Sequence, residues 1–320
     1  MNRTKKLPSA GRAIGWIALA ISIVASGTYN GFGKNLTDVL SPYSILLASE
    51  FVMALLVLVA FGAVPTARDL GKLKGSTWKA ALVVSLASAV AGPILWLEGL
   101  QRTTATNASL FVGVELAVTM GLASLWLGQR FSKRQLLGAG IAVVGIAFTF
   151  ILSLLQGVEP RSGDLLLLLG TIIFCSSNVC FRRYLLDCDP RLFLAVRICV
   201  AIVTLCLISP FLQVSMAHEI LNLPTSLILS LVAFAAISRF TGMFGYYTAV
   251  EHLPLPTVSL CGSTIVISSL LMSHWLTGEP LLWTHGVSAV LIVAGTLVFE
   301  LPMHGPRLHP VPVPLKAGHH

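Results

Sequence analysis

The chain has 320 residues, of which 55% are hydrophobic and 11% charged, with a mean hydropathy of +0.85. A soluble domain carries roughly a quarter charged residues, so a water-facing globular surface is excluded. The net charge of +8 does not point to nucleic acid, because the basic residues lie in the gaps between apolar stretches and gather on no single patch.

In chain order, residues 1–12 form a basic tail with Arg3, Lys5, Lys6 and Arg12. Ten apolar stretches follow, near 14–33, 43–64, 78–98, 104–127, 135–155, 163–181, 192–214, 225–250, 256–276 and 284–301. A run of about 18 or more apolar residues can cross a bilayer as a helix. The first stretch is expected to be an uncleaved span, not a signal peptide, because nine similar ones follow it. From Gly305 onward the Pro-Val-Pro-Val-Pro run reads as a short extended cytoplasmic tail, 303–320.

Charge fixes an expected orientation. With ten spans, sixteen Lys and Arg residues fall on the side of the two termini. They include Arg68, Lys72, Lys74, Lys79, Arg130, Lys133, Arg134, Arg182, Arg183, Arg191, Arg307 and Lys316. The opposite side receives Lys34, Arg102 and Arg161, while Arg197 and Arg239 lie inside spans. The positive-inside rule puts both termini in the cytoplasm, and the plasma membrane is the expected location. Cysteine adds little: five of six lie within spans, where a thiol behaves as a small apolar group. No spacing resembles a metal site, and no cofactor or catalytic residue is indicated. The segment Gly71–Thr77 does not match GxxxxGK[ST], which leaves ATP-driven transport without a motif.

The chain repeats itself. At a shift of 150, Ser109-Leu110 falls on Ser259-Leu260, Gly128 on Gly278, Ala139 on Ala289, Val143 on Val293 and Gly145 on Gly295. At a shift of 148, Gly15 falls on Gly163, Asn30 on Asn178 and Pro42 on Pro190. Two five-span halves, 13–155 and 163–302, follow. An odd number of spans makes the second copy enter the membrane inverted, as in many secondary transporters. The fold class read from the sequence is therefore all-α and polytopic, with ten transmembrane helices as two inverted five-helix repeats.

The stretch from Ala105 to Phe148, with small residues opening the fourth span, a Leu127-Gly128-Gln129-Arg130 turn and a Gly-rich fifth span, resembles an EamA-type repeat of the drug/metabolite transporter superfamily. Thr277-Gly278-Glu279-Pro280 is the second-half counterpart of that turn. The resemblance implies alternating access and export or exchange of a small metabolite. It also places the fifth and tenth helices at the periphery, where they could mediate homodimer contacts. Two departures stand out. The family's proline midway along the fourth and ninth helices is replaced by Glu115-Leu116 and Ile265-Val266, and its second-helix arginine by Ser49-Glu50, although Arg197 occupies the matching place in the second half.

Ionisable residues inside spans are costly and usually face a cavity or a partner. Glu115 and Arg239 lie near mid-span in opposite halves and with opposite sign, so a pair is expected. It would either fix helix packing or line a central cavity, with Arg239 meeting an anionic group and Glu115 a cationic group or a proton. Glu50 and Arg197 lie about two turns from their span starts, within reach of headgroups. Arg239, Met243 and Tyr246 share one face of an α-helix at i, i+4 and i+7. Asn30 and Asn178 serve as cavity lining or as interhelical hydrogen bonders. Trp96 and Tyr247 read as interfacial belt residues, with cavity walls as the alternative. His274 reads as packed, and Glu98 and Glu300 as solvated span-end residues. Gly138, Gly140, Gly145, Ser288, Ala289 and Gly295 are expected to let helices approach closely.

The reading is a secondary transporter, not an enzyme, that moves a small organic metabolite, with a zwitterion such as an amino acid as the expected substrate. The expected partners are that small molecule and the lipid bilayer, with no nucleic acid. The alternatives are a flippase for lipid-linked substrates or a non-transporting sensor or assembly protein.

Overall fold

The computed structural model describes residues 9–61, 75–128, 131–155, 162–185, 188, 190–212, 214–253 and 255–300. Most of the basic tail, Arg68, Lys72 and Lys74, Gln129-Arg130, Arg161 and the Pro-rich tail lie outside the described residues, as does the side chain of Glu300.

The described residues group into ten helical rods. In the first half α1 joins Ser9–Gly27 to Tyr29–Thr37, and α2 is Pro42–Phe61. The third rod, α3, runs through Gly75–Ser85, Leu86–Ala91 and Gly92–Arg102. The fourth, α4, is broken into Ala105–Phe111 and Val114–Leu127, and α5 is Lys133–Leu155. The second half repeats the series. Here α6 is Ser162–Tyr184, and α7 is Pro190–Ile208 with a final turn Ser209–Phe211. The eighth rod, α8, runs through Thr225–Ala233, Phe234–Thr241 and Gly242–His252. The ninth, α9, is broken into Leu255–Gly262 and Ile265–Thr277, and α10 is Trp283–Glu300. Six rods, α1–α3 and α6–α8, are long and apolar enough to cross a bilayer unbroken. The first reaches Thr37, further than its apolar run, because the polar Asn30, Lys34 and Asn35 all find partners there. A short helix between α7 and α8, Met216–Leu221, is capped by the Ser215 hydroxyl and has no counterpart in the sequence reading.

Local irregularities repeat with the sequence. The middle of α3 (Leu86–Ala91) and of α8 (Phe234–Thr241) is π-helix, and adding 150 to the first range lands inside the second. Both broken rods end on a left-handed glycine, Gly128 at φ 64° and Gly278 at φ 71°. No proline makes either break. Gly113 and the Ser263-Thr264 pair sit at the interruptions, close to the places where the family pattern has proline.

Packing couples the halves and shows the inversion. A Cβ on Gly138 of α5 would come 2.5 Å from the Gly295 carbonyl of α10, and one on Gly145 would lie 3.0 Å from the Ser288 carbonyl. Numbers rise along one helix as they fall along the other, so α5 and α10 are antiparallel. At the shift of 150, Gly138 corresponds to Ser288 and Gly145 to Gly295, so the two contacts exchange with each other, as an in-plane two-fold axis requires. The same relation joins Gly99 of α3 to Gly163 of α6 and Gly15 of α1 to Leu253 beyond α8. Gly140 meets nothing within 4 Å and takes no part in this packing. The largest apolar cluster lies toward the face opposite the termini, where Leu36, Ile45, Leu97, Leu100, Leu167 and Phe234 come together from both halves.

Candidate functional site

Two groups of polar side chains lie between the halves. The first surrounds Glu50, which is fully buried on α2. Arg239, at the end of the π segment of α8, donates to Glu50 Oε1 and, at 2.6 Å, to the Ser49 hydroxyl. Glu50 Oε2 makes no hydrogen bond, and neither do the hydroxyls of Ser85 and Ser88 on α3. Arg197 on α7 donates to the Ser88 carbonyl at 3.3 Å and interacts electrostatically with Glu50, Arg239, Tyr29 and Tyr247. A π turn widens the helix and leaves carbonyls for side chains. Ser88 gives one to Arg197, and Ala236 of α8 gives one to the Thr241 hydroxyl at 2.7 Å. The group therefore holds one carboxylate against two guanidiniums, an excess of positive charge in a region where an uncompensated charge is costly.

The second group centres on Glu115. The break in α4 places it in the first turn of Val114–Leu127, where the exposed peptide N–H groups of a helix start favour an acidic side chain. Its residue is solvent-accessible, as is Asn178 of α6, whose amide donates to Glu115 Oε1 at a long 3.5 Å. The Cys175 thiol, buried one turn before Asn178, donates to the Glu115 backbone carbonyl at 3.6 Å. Glu115 and Asn178 thus meet across the α4–α6 seam at the level of the α4 break.

Several expectations are corrected. Glu115 and Arg239 do not pair: Arg239 is bound by Glu50, and Glu115 faces Asn178. Equal depth along two rods does not fix the direction around each rod, and the π segment turns Arg239 away from where an ideal α-helix would point it. The same segment breaks the assumed α-helical spacing of Arg239, Met243 and Tyr246. Met243 packs with Met53, Val57, Ile198 and Phe240 between α2, α7 and α8, whereas Tyr246 is exposed, edge-on to Tyr247. Glu50 and Arg197 do not reach toward headgroups, being engaged with Arg239 and with Ser88. Trp96 is not a belt residue, since it is 8% exposed and its indole N–H donates to Asn30 Oδ1 at 2.9 Å. Asn30 also donates to the hydroxyls of Ser109 and Ser269, at 3.3 and 3.2 Å, tying α1 to α3, α4 and α9. It is an interhelical hydrogen bonder, whereas the matched Asn178 is open. Glu98 is ion-paired to Arg102 at 2.9 Å, and His274 is exposed, its ring Nδ1 meeting the Glu279 carbonyl.

Comparison with known proteins agrees with this architecture. The EamA-like transporter family model matches residues 13–151 and again 161–301. The chain belongs to the EamA-like transporter family. It is 24% identical over 223 residues to an uncharacterized transporter, YyaM, of Bacillus subtilis, covering 67% of this chain and 71% of that one. It is 26% identical over 209 residues to a probable amino-acid metabolite efflux pump of Salmonella typhimurium, covering 60% of this chain and 66% of the pump. A crystal structure with 16% identity superposes with a TM-score of 0.57 over 91% of this chain and 96% of that one, which supports the fold. This EamA protein is a membrane transporter. Its two matched segments each contain one broken rod and one π-containing rod, the features that frame Glu115 and the Glu50–Arg239 pair.

Proposed function

We propose that this EamA transporter exports or exchanges a small zwitterionic metabolite of the amino-acid class by alternating access. The observation that carries the reading is Glu115, an accessible carboxylate at the break of α4, facing Asn178 of the opposite half. Broken helices near the midplane, at the interface of inverted repeats, are where transporters of this architecture hold substrate. Glu115 and the Asn178 side-chain carbonyl accept hydrogen bonds from a substrate ammonium. The carboxylate end is drawn by the excess positive charge of Arg197 and Arg239 over Glu50. The name of the Salmonella relative, an amino-acid metabolite efflux pump, supports the same substrate class. The excess of basic residues on the termini side supports a cytoplasmic location for both termini.

The test is untargeted metabolite profiling of medium from cells making the intact protein, Glu115→Gln or Asn178→Ala at equal membrane abundance. The reading predicts an amine-bearing acid enriched outside with the intact protein and depleted for both variants. Enrichment of a compound without an amine, unaffected by Glu115→Gln, would refute the assignment of Glu115. No enrichment together with accelerated lipid flipping would make the cargo a lipid.

A further inference from the structure

The face opposite the termini is fastened by side chains that reach from one half into the other. Glu279, in the α9–α10 turn, accepts from the backbone N–H groups of Ala105 and Thr106 at 2.9 Å each and from the Thr106 hydroxyl at 3.0 Å. Glu219, in the short helix before α8, accepts from the Ser41 N–H at 2.9 Å and the Ser41 hydroxyl at 2.8 Å, at the start of α2. Three further ties accompany them: the Asn35 amide donates to the Leu276 carbonyl at 3.1 Å, the Thr103 hydroxyl to the Asp164 carboxylate at 2.8 Å, and the His285 imidazole meets Asn107 Oδ1 at 3.1 Å. The largest apolar cluster lies directly beneath.

The repeat makes this fastening unequal between the two faces. At the shift of 150, Glu279 corresponds to Gln129, and its two amide donors at 105 and 106 correspond to Leu255 and Pro256. Proline has no N–H, and a neutral amide accepts more weakly than a carboxylate. A copy of the Glu279 grip on the termini face therefore lacks both its charge and one of its two backbone donors.

We propose that Glu279 and Glu219 are the two latches of a gate on the face opposite the termini, and that their release from α4 and α2 is the step that opens this face. The gate is shut in this structure, while the Glu115–Asn178 level stays accessible. The sequence asymmetry favours this shut state. The inference rests on the alternating-access reading above.

Backbone hydrogen–deuterium exchange of the full chain in lipid nanodiscs reads the latches without any substrate, so its outcome is separate from whether transport is found. Glu279→Gln keeps one acceptor and turns an amide NH2, itself a donor, toward the other N–H. Charge-assisted hydrogen bonds of this kind are worth enough that exchange of the 104–108 segment should rise about tenfold or more. Because the latches share one gate, exchange of 41–45 should rise in the same variant, and Glu219→Gln should in turn raise exchange of 104–108. Glu279→Asp, which keeps the charge but shortens the reach, should fall between and serves the same test if Glu279→Gln does not accumulate. Unchanged exchange at 104–108, or a rise confined to the segment each carboxylate touches, would overturn the proposal.

Discussion

The pairing of Arg239 with Glu50 rather than with Glu115 leads to a double-mutant prediction that separates the two arrangements. Glu50 is fully buried and the Arg239 side chain 8% exposed, so neither can turn to water when its partner is removed. Breaking a buried ion pair from one side costs about 3–5 kcal/mol. The two single variants should nevertheless differ. Glu50→Gln leaves both Arg239 and Arg197 without a carboxylate, whereas Arg239→Gln leaves Glu50 still facing Arg197. Glu50→Gln should therefore lower the unfolding temperature in detergent by roughly 6 °C or more, and Arg239→Gln by distinctly less. The double variant should recover part of the loss, with a coupling of at least about 1 kcal/mol, while Glu115→Gln and Arg239→Gln should add within about 0.5 kcal/mol. The assay is thermal unfolding of purified full-length protein followed by tryptophan fluorescence. Additive Glu50 and Arg239 effects, or coupling between Glu115 and Arg239, would refute the assignment.

Other consequences follow from particular contacts. Asn30→Ala removes the partner of the Trp96 indole and two hydroxyl contacts at a site 2% exposed, so it should cost about 1–3 kcal/mol and shift Trp96 emission. Asn178→Ala, at an accessible position, should leave the unfolding temperature nearly unchanged. Gly138→Ala should destabilise by driving a methyl into the Gly295 carbonyl, whereas Gly140→Ala, with nothing within 4 Å, should be neutral or stabilise by up to about 1 kcal/mol; paired thermal unfolding measures both. Burial raises the pKa of the Glu219 carboxyl, but hydrogen bonds from Ser44 and Ser41 outweigh it and hold the group below its ordinary value. A depressed carboxylate contributes stability that is present above its unfolded pKa and lost only as pH falls through the lowered one. Exchange protection of 41–45, corrected for the intrinsic rate, should therefore persist from neutrality down to about the ordinary glutamate pKa of ~4.3 and fail only below it; loss above that value would contradict the Ser41 geometry.

How much of this was legible in the sequence depends on what fixes each feature. The rods and their inversion were, because bilayer thickness sets the length of each apolar run and the matched Gly128 and Gly278 both take left-handed backbone that glycine tolerates. The close approach at Gly138 and Gly145 was legible for a related reason, since only small residues let two backbones touch. The partners of Glu50, Glu115 and Arg239 were not. Depth along a helix can be counted from sequence, but direction around it depends on the π segments, which no residue pattern in Leu86–Ala91 or Phe234–Thr241 announces. Counting from the start of α2 placed Glu50 near headgroups, although the rods around it bury it completely. The break in α4 carries no proline, and Gly113 is its one sequence signal. The Glu279 latch is only half legible: the contrasts of Glu279 with Gln129 and of Thr106 with Pro256 stand in the sequence, but the contact between the α9–α10 turn and the start of α4 is set by the packing of the two halves.

The most direct test of the account is efflux from proteoliposomes containing the full chain and loaded with a mixture of amino acids and their metabolites, with release followed by mass spectrometry. At least one zwitterion should leave faster than from empty vesicles, and Glu115→Gln should abolish the difference while the protein remains folded. Release of no zwitterion by the intact protein, or release that Glu115→Gln leaves unchanged, would contradict the account.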